Sequence, residues 1–158
     1  ALTLSTLLGF ALVAVLLARQ QGAAGLYHYL GFMLSSVLLG LAFLSLAVLI
    51  SVLARDRTRA SGMASASWFV FVLVFDLLLL GVLVFSGGRL APDLFPWLLL
   101  LNPTDVFRIL NVFSLEQART LYGLTSILPP AMARPAVMGG VMLAWIVLPL
   151  GLARWRFR

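Results

Sequence analysis

"LLLLNPTDVFRILNVF", Leu98 to Phe113, sets an Asn, a Pro, an Asp and an Arg within seven residues of a chain that is otherwise apolar enough to lie in lipid. In "NPTD", Asn102 can cap a helix, Pro103 suits the first helical position, and Asp105 falls at the third, near the positive end of the new helix. Val106, Ile109, Leu110 and Phe113 then recur at the i, i+3, i+4, i+7 spacing, with Asp105, Arg108 and Asn111 on the other side. The pattern predicts an amphipathic helix, too short and too polar to span a bilayer. Just upstream, "LFPWLLLL" is an apolar run with a Pro inside, and a run that short at membrane depth reads as re-entrant or interfacial. Together they predict a segment that dips into the membrane, turns at Asn102 and Pro103, and returns along the surface.

The rest of the chain supplies the membrane. Hydrophobic residues make up 63% and charged residues 10%, with a mean hydropathy of +1.11, whereas a soluble domain carries about a quarter charged residues. A helix needs roughly 20 apolar residues to cross the hydrocarbon, and four uncharged or nearly uncharged runs approach or exceed that length: 1–18, 26–54, 60–88 and 136–153. The third is interrupted only by Asp76. The predicted fold class is an all-α, polytopic transmembrane helical bundle of four spans plus a re-entrant and amphipathic external helix pair within 89–135, forming a single domain over 1–158. Starting on Ala inside an apolar run, the sequence is expected to be a fragment. A cleavable signal peptide is disfavoured for the first run, which has no positive stretch before it and is long for such a segment.

All eleven basic residues are Arg, and five acids leave a net charge of +6. Six of the eleven sit in two places, "RDRTR" between the second and third runs and "RWRFR" at the C-terminus. Two alternate loops rich in Arg follow the positive-inside rule and place both in the cytoplasm, so the balance reads as topology and not as nucleic-acid binding. The 89–135 segment is then external.

Several chemistries are excluded or weakened. With no Cys there is no thiolate metal site or disulfide. With no Lys there is no GxxxxGK[ST] phosphate loop, so ATP must be handled by another subunit. His28 stands alone between Tyr27 and Tyr29 and reads as an interfacial anchor; Met132, Met138 and Met142 read as core side chains before copper ligands. No metal and no cofactor are expected. Intramembrane proteolysis lacks both a Ser–His pair and a second Asp in an adjacent span. Asp76 near mid-span is a candidate coupling residue; the competing reading is a neutral or hydrogen-bonded Asp that sets helix register, with Ser35, Ser36 and Ser45 as possible donors. Small residues in "ASGMASAS" suit close helix packing.

Two spans separated by an external pair of short helices, an Asn-Pro turn between those helices, and a basic C-terminal end resemble the permease subunits of ABC-2-type transporters. "LNPTDVFRILNVFSLEQARTLYG", with the upstream "FVFDLLLLG", is similar to the NosY-like branch, the permeases of nitrous oxide reductase maturation. The resemblance covers all 158 residues, matched to spans three to six of a six-span subunit; the first two spans and the main ATPase-docking helix of the family have no counterpart here. It implies a homodimer of permeases, a cytoplasmic ABC ATPase, a periplasmic partner protein, the bacterial inner membrane, and export or maturation of sulfur or copper species. It makes Arg55, Asp56, Arg57 and Arg59 candidates for ATPase contact. Asn102, Pro103, Asp105, Arg108, Glu116 and Arg119 become candidates for an external gate and partner surface. A non-transporting anchor for a periplasmic complex is the alternative. A secondary transporter is a third, but the inverted repeat it requires is not seen.

Overall fold

A computed structural model of the chain describes residues 2–54, 56–87, 95–114 and 134–157. The chain is an all-α transmembrane helical bundle. Helix α1, Leu2–Leu53, is broken at Gly22, whose φ of 67° and ψ of −152° belong to a backbone region in which any Cβ is strained. Two compact units follow, Ala1–Leu34 and Ser35–Arg158. In the first, the chain folds about Gly22 so that the Tyr29 hydroxyl donates to Phe10 O at 3.2 Å. Tyr27 stands edge-on to His28 at 6.0 Å, and both residues are exposed.

Three described helical stretches are long and apolar enough to cross a membrane: Gly22–Leu53, Arg57–Phe85 and Pro135–Phe157. The run expected over 1–18 is helical from Leu2, with Leu8–Gln20 an apolar stretch of it.

In the second unit, α2 (Arg57–Phe69) starts where Asp56, in extended conformation, accepts the Arg59 amide at 2.7 Å on its side chain. This satisfies one of the four amides a helix start leaves open. The helix then loosens into a π turn, Val70–Val74, and continues as α3, Phe75–Phe85, ending at Ser86 and at Gly87, whose φ of 59° suits glycine after a helix. Helix α4 (Phe95–Leu99) is a single turn, α5 spans Pro103–Ser114, and α6 spans Pro135–Phe157.

The core sits where α5 lies on α6. Val106 and Ile109 of α5 pack with Met138 and Met142 of α6, all four buried, with Leu38 and Leu39 of α1 and Leu99 and Leu100 around them. Met138 and Met142 lie four residues apart and so share a face; that face is filled by core contacts. Met132, the third sulfur considered, lies outside the described residues. Polar bonds tie the layers. Trp145 Nε1 on α6 donates to Leu100 O at 3.0 Å, closing the turn between α4 and α5, and its ring meets Phe71 edge-on at 5.5 Å. Ser45 Oγ lies 2.7 Å from Ala42 O and 3.0 Å from Trp145 O, joining α1 to α6. Replacing Trp145 with Phe keeps the aromatic edge contact and orphans Leu100 O. The expected loss is about 1 kcal/mol, the net value of one such bond, read as a lower unfolding midpoint in detergent.

Candidate functional site

The polar cluster of the second unit gathers where the start of α5 meets the π turn. Asn102 caps α5: its Oδ1 accepts the Thr104 amide at 3.0 Å, and Pro103 takes the first helical position, where no amide donor is needed. The Asn102 amide nitrogen uses both protons, donating to Phe71 O at 2.8 Å and to Asp105 Oδ2 at 2.9 Å. Phe71 O is available because of the π turn. In an α-helix the amide of Phe75 would donate to it, but here that amide donates to Val70 O. A freed main-chain carbonyl on one span is therefore taken by a side chain from another element.

Arg108, one turn along α5, completes the cluster. Its Nη1 donates to Asp76 Oδ2 on α3 at 2.6 Å and to Asp105 Oδ1 at 2.9 Å. Asp105 is buried, whereas the Asp76 and Arg108 side chains are 36% and 46% exposed, so the pair between them is screened more than a fully buried one. The triad floors a cleft of about 260 Å³ walled by Leu79, Leu80, Leu83, Phe95 and Leu99. On the same side of α5, Asn111 Nδ2 donates to Phe107 O at 2.8 Å and Ser35 Oγ donates to Asn111 Oδ1 at 3.1 Å. Thr104 Oγ1 is buried with no hydrogen-bond partner among the described residues.

Burial, and after it the charge of Asp76, raise the Asp105 carboxyl above its ordinary value, against Arg108 and Asn102, which pull it down. The folded protein then holds this proton to higher pH than the unfolded chain. The group's contribution to stability is present at acid pH, below the unfolded value, and is lost as pH rises through the folded one. Asp105→Asn should remove that slope: the unfolding midpoint of the full-length subunit changes less with pH, above the ordinary carboxylate range, than in the parent.

Along residues 1–158 the chain matches the family described as ABC-2 family transporter protein. It belongs to that family. Two curated relatives bear the name "Probable ABC transporter permease protein NosY": one from Stutzerimonas stutzeri, 42% identical over 161 residues, and one from Pseudomonas aeruginosa, 43% identical over 164. Each match covers 99% of this chain and 58% of the relative's length.

In this ABC-2 chain the sequence-derived site residues fall into two described groups. Asp76, Asn102, Pro103, Asp105 and Arg108 come together in one cluster, which the sequence had divided between a lone mid-span Asp and an external surface. Asn102, Pro103 and Asp105 are buried against their own bundle. The partner of Asp76 is Arg108; Ser45 bonds Ala42 and Trp145 carbonyls, and Ser35 bonds Asn111. Asp56 and Arg59 pair at 3.4 Å at the start of α2, and Arg57 is exposed with no side-chain partner among the described residues. Arg55, Glu116 and Arg119 lie outside the described residues. Phe71 O and Trp145 were not anticipated, and Asn111 was placed on the polar face of α5 without a role. The excess of one Asp in a span over any local cation was the signal that an Arg had to arrive from elsewhere.

Proposed function

We propose that this chain is part of the membrane permease of an ABC transporter of the bacterial inner membrane. A separate cytoplasmic ATPase moves the bundle between inward- and outward-facing arrangements. Short helices α4 and α5 act as the external gate, and Asn102, Pro103, Asp105 and Arg108 lock it to the span Arg57–Phe85. The observation that carries this reading is the side-chain lock itself, in which Asn102 holds Phe71 O and Arg108 holds Asp76. A helix too short to span is bound to a span by directional bonds at a π turn, a feature often found at functional sites. Two attachment points between rigid elements allow discrete closed and open arrangements. Asp76 thereby becomes the coupling residue: movement of its span pulls on the gate.

The long apolar surface of Arg57–Phe85 is unburied within the described residues, which supports packing against a second permease copy in a homodimer as well as against lipid. "RDRTR" serves the ATPase, with Arg57 and Arg59 exposed cations, Arg59 paired to Asp56, and Asp56 the cap of α2. Glu116 and Arg119 are left to meet a periplasmic partner protein. From the likeness to NosY-like permeases, the work is export or periplasmic maturation, with a sulfur or copper species for nitrous oxide reductase copper-centre assembly as cargo.

Arg57→Ala should weaken ATPase association with little change in stability, whereas Asp56→Ala should fray α2 at a cost of about 1 kcal/mol, a typical N-cap loss. The deciding experiment is purification of the full-length subunit from membranes in mild detergent, with mass spectrometry of what accompanies it and an ATPase assay. A bound P-loop ATPase with a periplasmic protein is the expected result. A periplasmic protein without any ATPase overturns the transporter reading in favour of a membrane anchor.

A further inference from the structure

We propose that Asp76 and Asp105 form a proton-binding site, holding one proton between them while both face Arg108. Both carboxylates bond the same nitrogen, at 2.6 and 2.9 Å, so Asp76 Oδ2 and Asp105 Oδ1 stand at most about 5.5 Å apart, the sum of those two bonds. Two carboxylates and one guanidinium carry a net charge of −1 when both acids are ionised. Asp76 lies nine residues inside the end of α3 at Phe85, about 13 Å along a helix rising 1.5 Å per residue. The surrounding walls are leucines and a phenylalanine.

Within Ser35–Arg158 no second cation is at hand among the described residues. Residues 35–53 of α1 contain no titratable side chain, and neither does α4; α6 bears only Arg154 and Arg156, at its far end; the span Arg57–Phe85 offers only Arg57 and Arg59, at its opposite end from the cleft. Arg134, just ahead of α6, is exposed and pairs with neither acid. Like charges this close, in a poorly polar setting with one counterion among the described residues of this unit, are disfavoured, and one proton brings the cluster to neutrality. The proton belongs to the pair and not to one residue. Asp105 has both oxygens engaged, by Arg108 and Asn102, while Asp76 Oδ1 has no hydrogen-bond partner among the described residues. The raised affinity of Asp105 for a proton accords with the geometry. The joint between α5 and its span is therefore sensitive to rising pH: deprotonation leaves an unbalanced charge that the closed arrangement opposes. This holds whether or not the bundle transports anything.

The test is infrared spectroscopy of the full-length subunit in lipid nanodiscs, following the carbonyl stretch of protonated carboxylic acid across a pH titration. At neutral pH a protonated-acid band is expected that disappears on alkalinisation. Asp76→Asn and Asp105→Asn should each abolish it, because the remaining single carboxylate is balanced by Arg108 and ionises. Asp56→Asn should leave it unchanged. Arg108→Gln should move its loss to higher pH, since both acids then lack a counterion. The absence of such a band at neutral pH overturns the proposal, as does a band that survives in both Asp76→Asn and Asp105→Asn; either of these variants alone suffices where the other does not fold.

Discussion

Replacing Arg108 with Ala is expected to lower the stability of the full-length subunit by about 2 kcal/mol: losing one partner of a buried ion pair costs roughly 3–5 kcal/mol, and partial exposure discounts that figure. The large cost follows from what is left behind. Asp76 would sit within a span with no counterion, and buried Asp105 would keep only its Asn102 bond. Both would then have to be protonated or hydrated. The informative measurement is a double-mutant cycle on unfolding midpoints in detergent. Asp76→Asn in the Arg108→Ala background removes the stranded span charge and should recover half or more of the loss. Additive single and double variants would mean that the 2.6 Å contact contributes nothing to holding α5 against its span, and the lock would lose its stronger arm.

The three long apolar helices, Gly22–Leu53, Arg57–Phe85 and Pro135–Phe157, were legible because bilayer thickness converts directly into a count of apolar residues, a rule that needs no tertiary information. The start of α5 was legible for a similar reason: "NPTD" satisfies local capping geometry, and Asn102, Pro103 and Asp105 take the cap, first and third positions. Val106 and Ile109 were correctly assigned to an apolar face, and Met138 and Met142 to core packing, since helical spacing decides which residues share a face.

The polar face of α5 carries more than a surface: Asp105 on it is buried while Arg108 stays partly exposed. Periodicity separates two sides of a helix but does not say that the polar one meets water. In this chain Asp105 and Asn111 turn to Asn102, Arg108 and Ser35. The pairing of Asp76 with Arg108, 32 residues apart, is a tertiary fact without local signature. The π turn is equally silent: "VFVLV" has no Gly or Pro to announce a break, and the turn is stabilised by a partner for Phe71 O that comes from beyond α3.

That partner supplies the second large effect. Asn102→Asp should be more damaging than Asn102→Ser, although Asp, Ser and Asn are comparable N-caps. A cap needs only an acceptor for the Thr104 amide, and all three side chains provide one. The site also needs a donor, because Asn102 Nδ2 satisfies both Phe71 O and Asp105 Oδ2. Aspartate loses both donations and sets a carboxylate against the Asp105 carboxylate in a fully buried position. Leaving a buried acceptor unpaired costs about 1–3 kcal/mol, and the like-charge contact adds to it, for a combined loss of about 3 kcal/mol or more. Serine keeps the cap, opens a small void and orphans the same carbonyl without a new charge, for about 2 kcal/mol. The ordering of unfolding midpoints, Asn above Ser above Asp, reads out donation to the π turn. If Asp equalled Asn, Asn102 would be only a helix cap, and the freed carbonyl of Phe71 would play no part in tying α5 to its span. Acidifying the sample should narrow the gap between the Asn102→Asp and Asn102→Ser variants, since the introduced carboxyl, once protonated, regains one donor and loses its charge.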